Sequence, residues 1–371
     1  MANALTSSAV TLIVPAGRYD FSSLYDAHPD TPNDPRYQAL LAENPGGYIY
    51  GEVMIGIPKI SITLPAEIDS LAGAETNVTV DRVFLHHFGF MGLFCRQSCA
   101  LTASRVEGVL PAPSASVSSY IDSVHGVLVS RIGPQVGYAF QIGMAQYGAS
   151  ASTDVTGSHF SGLGEGIVVS RNRGITSVRD SIFETILDHA VYLLSPTQNY
   201  RILQSRFLMS YFAAIKIGGH LEEPPSRPML FQSELGRNEF VEPRTVALLL
   251  SGSYAYIHDN VSVSDPARPF PDFRVTTYGG QSGWSNHCIG NRIENNRAVI
   301  LLEQFVDSKD KSVAGNSFAG VTQQVYFHTK VNSQYPPDIT VADSPLTIGA
   351  PPNCPTCYPN APGYRKNPGS L

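Results

Sequence analysis

A phrase that recurs about every 23 residues between positions 155 and 330 limits the folds open to this chain more than any other feature. It consists of a small polar residue, any residue and an apolar residue, followed some eight residues later by a four-residue apolar run. The polar position holds Ser158 (SHF), Ser181 (SIF), Ser205 (SRF), Asn238 (NEF), Asn260, Asn291 (NRI) and Asn316 (NSF), at steps of 23, 24, 33, 22, 31 and 25. The apolar runs are GIVV (166–169), AVYL (190–193), AIKI (214–217), ALLL (247–250), AVIL (298–301) and QVYF (324–327), with weaker copies MGLF (91–94) and GVLV (126–129).

A repeat this short holds two or three strands and cannot bury its apolar side alone, whereas stacking successive repeats at about 4.8 Å closes a continuous core. The pattern predicts an all-β chain, a right-handed parallel β-helix of about ten coils. Ser and Asn at one bend would stack into a ladder that satisfies turn backbone groups. Leucine-rich repeats would need an L-x-x-L-x-L signature that is absent, and a sandwich would not keep the period. Composition agrees: 43% hydrophobic residues, 15% charged, 32 Gly and 27 Pro favour strands and turns over amphipathic helices. The expected layout is one structural domain, with a cap and first coils at 1–74, the helix at 75–334 and an irregular tail at 335–371. Insertions at 218–233 and within 265–286 account for the long steps, and a third surrounds 109–120.

The opening TLIVPAGRYDF is similar to the cap strand that begins many pectate-lyase-like proteins. With the repeat, it makes residues 75–335 resemble the right-handed parallel β-helix (pectate-lyase-like) superfamily. That resemblance implies a carbohydrate-active protein, since the superfamily includes polysaccharide lyases, glycoside hydrolases, uronan C5-epimerases and phage depolymerases. It also implies a secreted or extracellular setting and leaves a homotrimer open. The NTD, DD, GHG and RIK motifs of polygalacturonase-like hydrolases are not intact; IKIGGH is a distant echo, and LDH at 187–189 only partly matches the epimerase DPH.

Net charge is −6 without a Lys/Arg run, which argues against a nucleic-acid partner. No stretch reaches the roughly 18 apolar residues of a membrane span. The first residues show no signal peptide and read as a mature or trimmed terminus. Five cysteines form two close pairs, Cys95/Cys99 and Cys354/Cys357, with Cys288 apart; local disulfides, a four-cysteine zinc site and free thiols all fit. Sequons at Asn77 and Asn260 do not place the chain.

Phasing the apolar runs yields a candidate site. Lys216, the lone charge in AIKI, should point outward, which puts Val168, Tyr192, Leu249, Ile300 and Tyr326 on the same outer face. A shift of 24 sets Tyr192 beside Lys216 and Glu165 beneath His189. Asp188 adjoins them, and Arg171 and His220 flank the strand ends. Such a cluster suits β-elimination of a uronate: a cation neutralises the carboxylate, a base takes the C5 proton and an acid protonates the leaving oxygen. Lys216 or Arg171 would hold the carboxylate and His220 would assist binding. His189 or Lys216 would be the base, Tyr192 a base or acid, and Asp188 or Glu165 would orient His189 or bind a divalent cation such as Ca2+.

Bland readings compete. His189 and Asp188 can serve as a bend, Tyr192 with Lys216 as a cross-strand cation–π pair, and Glu165 and His220 as solvated turns. Glu165 with Asp188 would also suit a hydrolase with paired carboxylates, and Asp259 and Glu303 are acids the repeat does not position. His86–His87 form a weaker feature. A uronan C5-epimerase and a β-helical binding module complete the alternatives. The expected partner is an acidic polysaccharide.

Overall fold

The computed structural model describes residues 12–14, 17–20, 53–55, 78–86, 91–95, 98–108, 142–147, 152–170, 174–194, 200–210, 213–218, 233–243, 246–250, 255–263, 272–276, 291–304, 317–319, 325–329, 340–341 and 346–348. These residues are strand and turn, with no helix. The chain divides into two units, Met1–Tyr192 and Leu193–Leu371. In each, parallel strands recur in three sheets, here A, B and C in chain order.

In the first unit, sheet A stacks Leu12–Val14, Val78–Asp81, Cys99–Thr102, Thr153–Thr156 and Thr176–Arg179. Sheet B stacks Gly17–Asp20, Val83–His86, Arg105–Glu107, His159–Leu163 and Ile182–Ile186. Sheet C stacks Val53–Ile55, Met91–Cys95, Ile142–Tyr147, Glu165–Ser170 and His189–Leu194, the last of which spans the division. Every strand pairs with the equivalent strand of the next repeat rather than with its neighbour in sequence. This all-parallel stacking in three sheets is consistent with a parallel β-helix.

In the second unit, sheet A runs Tyr200–Leu203, Ser233–Gly236, Ala255–His258, Arg292–Glu294, Ser317–Ala319 and Thr340–Val341. Sheet B holds Arg206–Ser210, Glu239–Val241 and Val261–Val263. Sheet C holds Ala213–Gly218, Val246–Leu250, Phe273–Thr276, Ile300–Gln304, Val325–Thr329 and Leu346–Ile348.

The bend from sheet A to sheet B explains the recurring polar residue. The residue before it takes left-handed backbone each time: Ala103, Gly157 and Asp180 in the first unit, Gln204, Arg237, Asp259 and Asn295 in the second. The side chain that follows accepts a backbone N–H from the preceding coil. Ser104 N–H donates to Ser158 Oγ, and Ser158 N–H to Ser181 Oγ, both at 3.2 Å. In the second unit Ser205, Asn238 and Asn260 donate to Asn238, Asn260 and Asn296 Oδ1, each at 3.0 Å. Two residues on, the apolar member of the phrase points inward. Phe160 stacks on Phe183 and Phe207 on Phe240, ring centroids 5.0 Å apart in both pairs. These rings, carried on sheet B strands, are among the largest fully buried side chains.

The repeat read from sequence needs three corrections. The ladder continues through Asn296, not Asn291, whose Oδ1 instead accepts the Ala255 N–H at 2.9 Å. The segment 265–286, expected as an insertion, contributes the sheet C strand Phe273–Thr276. As a result Ile300 is not on the outer column: it pairs with Phe273 and is fully buried, while Leu301 aligns with Arg274 and Leu249. Aligning the run AVIL (298–301) with AIKI (214–217) set Ile300 opposite Lys216, one residue short of Leu301.

Asn260 is buried, with both amide atoms bonded within the ladder, so its sequon offers no accessible glycan acceptor in the folded chain. Cys95 and Cys99 are joined by a disulfide across the corner from sheet C to sheet A. Asn77, Cys288, Cys354, Cys357 and the tail lie outside the described residues, apart from the short strands Thr340–Val341 and Leu346–Ile348.

Candidate functional site

Glu165 and His189 open consecutive strands of sheet C in the first unit. In the preceding coils that opening position is apolar: Met91 pairs with Ile142, and Ile142 with Glu165. Two titratable residues therefore hold a register position that Met91 and Ile142 hold in the strands before. The next position is small, Gly143 then Gly166, for a steric reason. A Cβ on Gly166 would lie 2.4 Å from the Ala190 carbonyl oxygen and 2.9 Å from the Phe183 ring. The strand openings thus pack tightly on the phenylalanine stack.

Asp188 is the last residue before its strand, and its N–H donates to the Gly164 carbonyl at 2.8 Å, which fixes the turn against the coil before. That anchoring brings the Asp188 carboxylate to the His189 ring, Oδ1 to Nδ1 2.6 Å. His189 keeps only 2% of its side chain exposed and Asp188 27%, while Glu165 is buried at 8%. One donor atom from each of Glu165, Asp188 and His189 lies within 4.8 Å of the other two. The ring of Tyr192, half-buried, is 4.8 Å from that of His189, tilted by 59°.

Of the residues expected at the site, Glu165, Asp188, His189 and Tyr192 come together. Lys216 is half-buried on sheet C of the second unit, in register with Leu249. Arg171 and His220 lie outside the described residues. Leu249, expected on an outer face, is buried at 6%, as is Arg274 beside it at 8%. The column is therefore covered at these two positions of the second unit, while Val168 and Tyr192 in the first are half-buried. His86 is buried, its ring 4.5 Å from Phe84, and His87 is outside the described residues.

A second cluster, on sheet A of the second unit, escapes the repeat reading. His258 Nδ1 lies 2.8 Å from Asp259 Oδ2 and Nε2 lies 2.9 Å from Glu234 Oε1. The ring stacks on Tyr256 at 4.2 Å. Tyr256 in turn donates its hydroxyl to Glu294 at 3.2 Å, and Glu294 also pairs with Arg292. Burial first, then the hydrogen bond to Glu294 and its charge, push the Tyr256 pKa up. Gly236 makes room: a Cβ there would sit 2.4 Å from His258 Nε2. The signal was present in sequence as alternation, since AYIH puts Tyr256 and His258 on one face and RIE does the same for Arg292 and Glu294. Asp259, an unplaced acid in the sequence reading, belongs here; Glu303 lies on the strand Ile300–Gln304.

Compared with protein-family models and with curated proteins, the sequence matches none.

Proposed function

We propose that the three-sheet stacks form a right-handed parallel β-helix of about ten coils, of the pectate-lyase-like kind, and that the chain cleaves an acidic, uronate-containing polysaccharide by β-elimination. One observation carries the reading: Glu165, Asp188, His189 and Tyr192 converge where the neighbouring coils stack Met91 and Ile142. Burying a carboxylate and an imidazole at strand openings, with a second carboxylate beside them, is costly unless the cluster has work to do.

In this mechanism Glu165, Asp188 and His189 would hold a divalent cation, which would supply the positive charge that neutralises the uronate carboxylate and makes the C5 proton acidic. His189, nearly inaccessible, supports the cluster from beneath and does not touch the polymer. Tyr192, half-exposed at the rim, takes the C5 proton as its phenolate. The C5–H electron pair forms the C4–C5 double bond, the C4–O bond breaks, and the departing oxygen takes up a proton. The Cys95–Cys99 disulfide supports an oxidising, secreted setting. A homotrimer remains part of the proposal.

A panel of uronans incubated with the protein tests the reaction: the ultraviolet absorbance of an unsaturated uronate supports elimination. Reducing ends without it would favour a second reading, hydrolysis by Glu165 and Asp188. That reading would use Glu165 and Asp188, each with a donor oxygen within 4.8 Å of the other's. If neither product appears with any uronan, the enzymatic reading fails and a binding module replaces it.

A further inference from the structure

We infer that Glu165, Asp188 and His189 form a site for a borderline transition ion of the zinc, manganese or cobalt class, not for calcium. The inference rests on the site proposed above but not on its reaction. The donor set decides the class. Calcium takes six to eight oxygen donors, and magnesium also prefers oxygen. An imidazole nitrogen with two carboxylates instead suits zinc and its first-row neighbours. Three protein donors with the remaining positions open is also the arrangement of ions that bind an exchangeable ligand.

Burial points the same way. Glu165 and His189 are 8% and 2% exposed in a column whose preceding members are Met91 and Ile142. Two carboxylates close together in such surroundings repel, and a dication between them offsets both charges. The spacing is within reach. Donors of a tetrahedral zinc ion stand about 3.4 Å apart at bond lengths of ~2.1 Å, so the widest separation that the 4.8 Å limit allows would close by about 1.4 Å on binding. Asp188 Oδ1 and His189 Nδ1 already stand 2.6 Å apart. Asp188, 27% exposed, marks the side from which a ligand would reach the ion.

The second cluster makes a useful contrast within the same molecule. Glu234, His258 and Asp259 offer the same donor types, yet both ring nitrogens of His258 are engaged by carboxylates at 2.8 and 2.9 Å. No exchangeable donor is left on that ring, so the transition ion is assigned to the first cluster alone.

The test uses the full chain, stripped with a chelator and titrated separately with zinc, manganese and calcium chlorides by calorimetry. The expected result is one zinc or manganese ion per chain, bound at least about tenfold more tightly than calcium. Glu165→Gln and Asp188→Asn should each weaken that binding at least about tenfold, with unchanged circular dichroism, and His258→Gln should not alter it. Calcium binding as tight as the transition ions, or binding indifferent to both Glu165→Gln and Asp188→Asn, overturns the inference. The exposed position of Asp188 keeps its variant informative even if substitution of a buried member unfolds the chain. An ion bound as expected, without unsaturated product from any uronan, would keep this site and remove the lyase reading. Product formed by stripped protein that binds no ion would do the reverse.

Discussion

Asp188–His189 in the first unit and His258–Asp259 in the second set the same two residue types side by side, each with a glutamate on the strand before: Glu165 and Glu234. Their surroundings differ. His258 lies on a sheet face over Gly236, and each ring nitrogen meets a carboxylate, so the charges are satisfied within the cluster. His189 instead opens a strand in an otherwise apolar column, with the donors of Glu165 and Asp188 gathered around it within 4.8 Å. Identical chemistry thus yields a closed network in one place and a convergent donor set in the other. Backbone position decides which, because a residue that starts a strand can aim at a shared point while residues in register along a face pair off laterally.

The largest expected effect separates the two clusters by activity. On a uronan that gives product, Glu165→Gln should lower turnover by about a hundredfold or more, the scale of a lost acid–base or charge-stabilising group. Glu234→Gln should leave initial rates within about twofold. If Glu234→Gln is the inactive variant, the roles of the clusters are reversed.

The glycines beside each cluster give the next contrast, read by chemical denaturation. A methyl at Gly166 meets the Ala190 carbonyl and the Phe183 ring, neither free to move, so Gly166→Ala should cost about 3 kcal/mol or more. At Gly236 the obstacle is the His258 side chain, which can swing away at the loss of its Glu234 contact; about 1–2 kcal/mol is expected. A costlier Gly236→Ala would mean that the second network is the more rigid of the two.

The ladders extend the contrast to the units themselves. Asn260→Ala leaves the Asn238 N–H and the Leu235 carbonyl without their partners in a buried bend, for a loss of roughly 2–4 kcal/mol. Ser181→Ala removes one acceptor for Ser158 and one donor to Arg179, and about 1 kcal/mol is expected from the same measurement. Equal losses would show that the amide rungs add nothing beyond the hydroxyl rungs.

Period and burial made the coiling and the Ser/Asn ladder legible in sequence, because both depend on spacing that stacking enforces. Phase was legible only where spacing was regular. Between Asn260 and Asn296 the spacing lengthens, FRVT looks like part of a loop and two asparagines compete for one rung, so the run AVIL had no regular spacing to phase it and Ile300 was placed one residue out of register. The site was half legible for a related reason. The step of 24 that relates Glu165 to His189 lies inside the regular stretch, and the structure gathers both with Asp188. Glu234, His258 and Glu294 lie two steps further on, where insertions hide the alignment, and their significance comes from register across three strands that sequence spacing did not reveal.

The smallest expected effect probes whether the second network is as closed as its geometry suggests. Tyr256 is partly buried and donates to Glu294, so its native pKa lies above the unfolded tyrosine value of about 10. The sign follows directly. Below that unfolded value both states carry the proton, and the contribution of Tyr256 to stability is complete. As pH rises further, the unfolded chain releases the proton first, and the contribution is lost through the native pKa. Following tyrosinate absorbance in alkali, Tyr256→Phe should therefore remove one ionisation from the high-pH end of the curve, with neutral-pH stability lowered by only ~0.5–1 kcal/mol. Glu294→Gln should move that ionisation back towards the bulk of the tyrosines, because it removes both the carboxylate acceptor and its charge. Should the missing ionisation fall among the ordinary tyrosines, the hydroxyl is free to reach solvent, and the sheet A cluster would have an open donor after all.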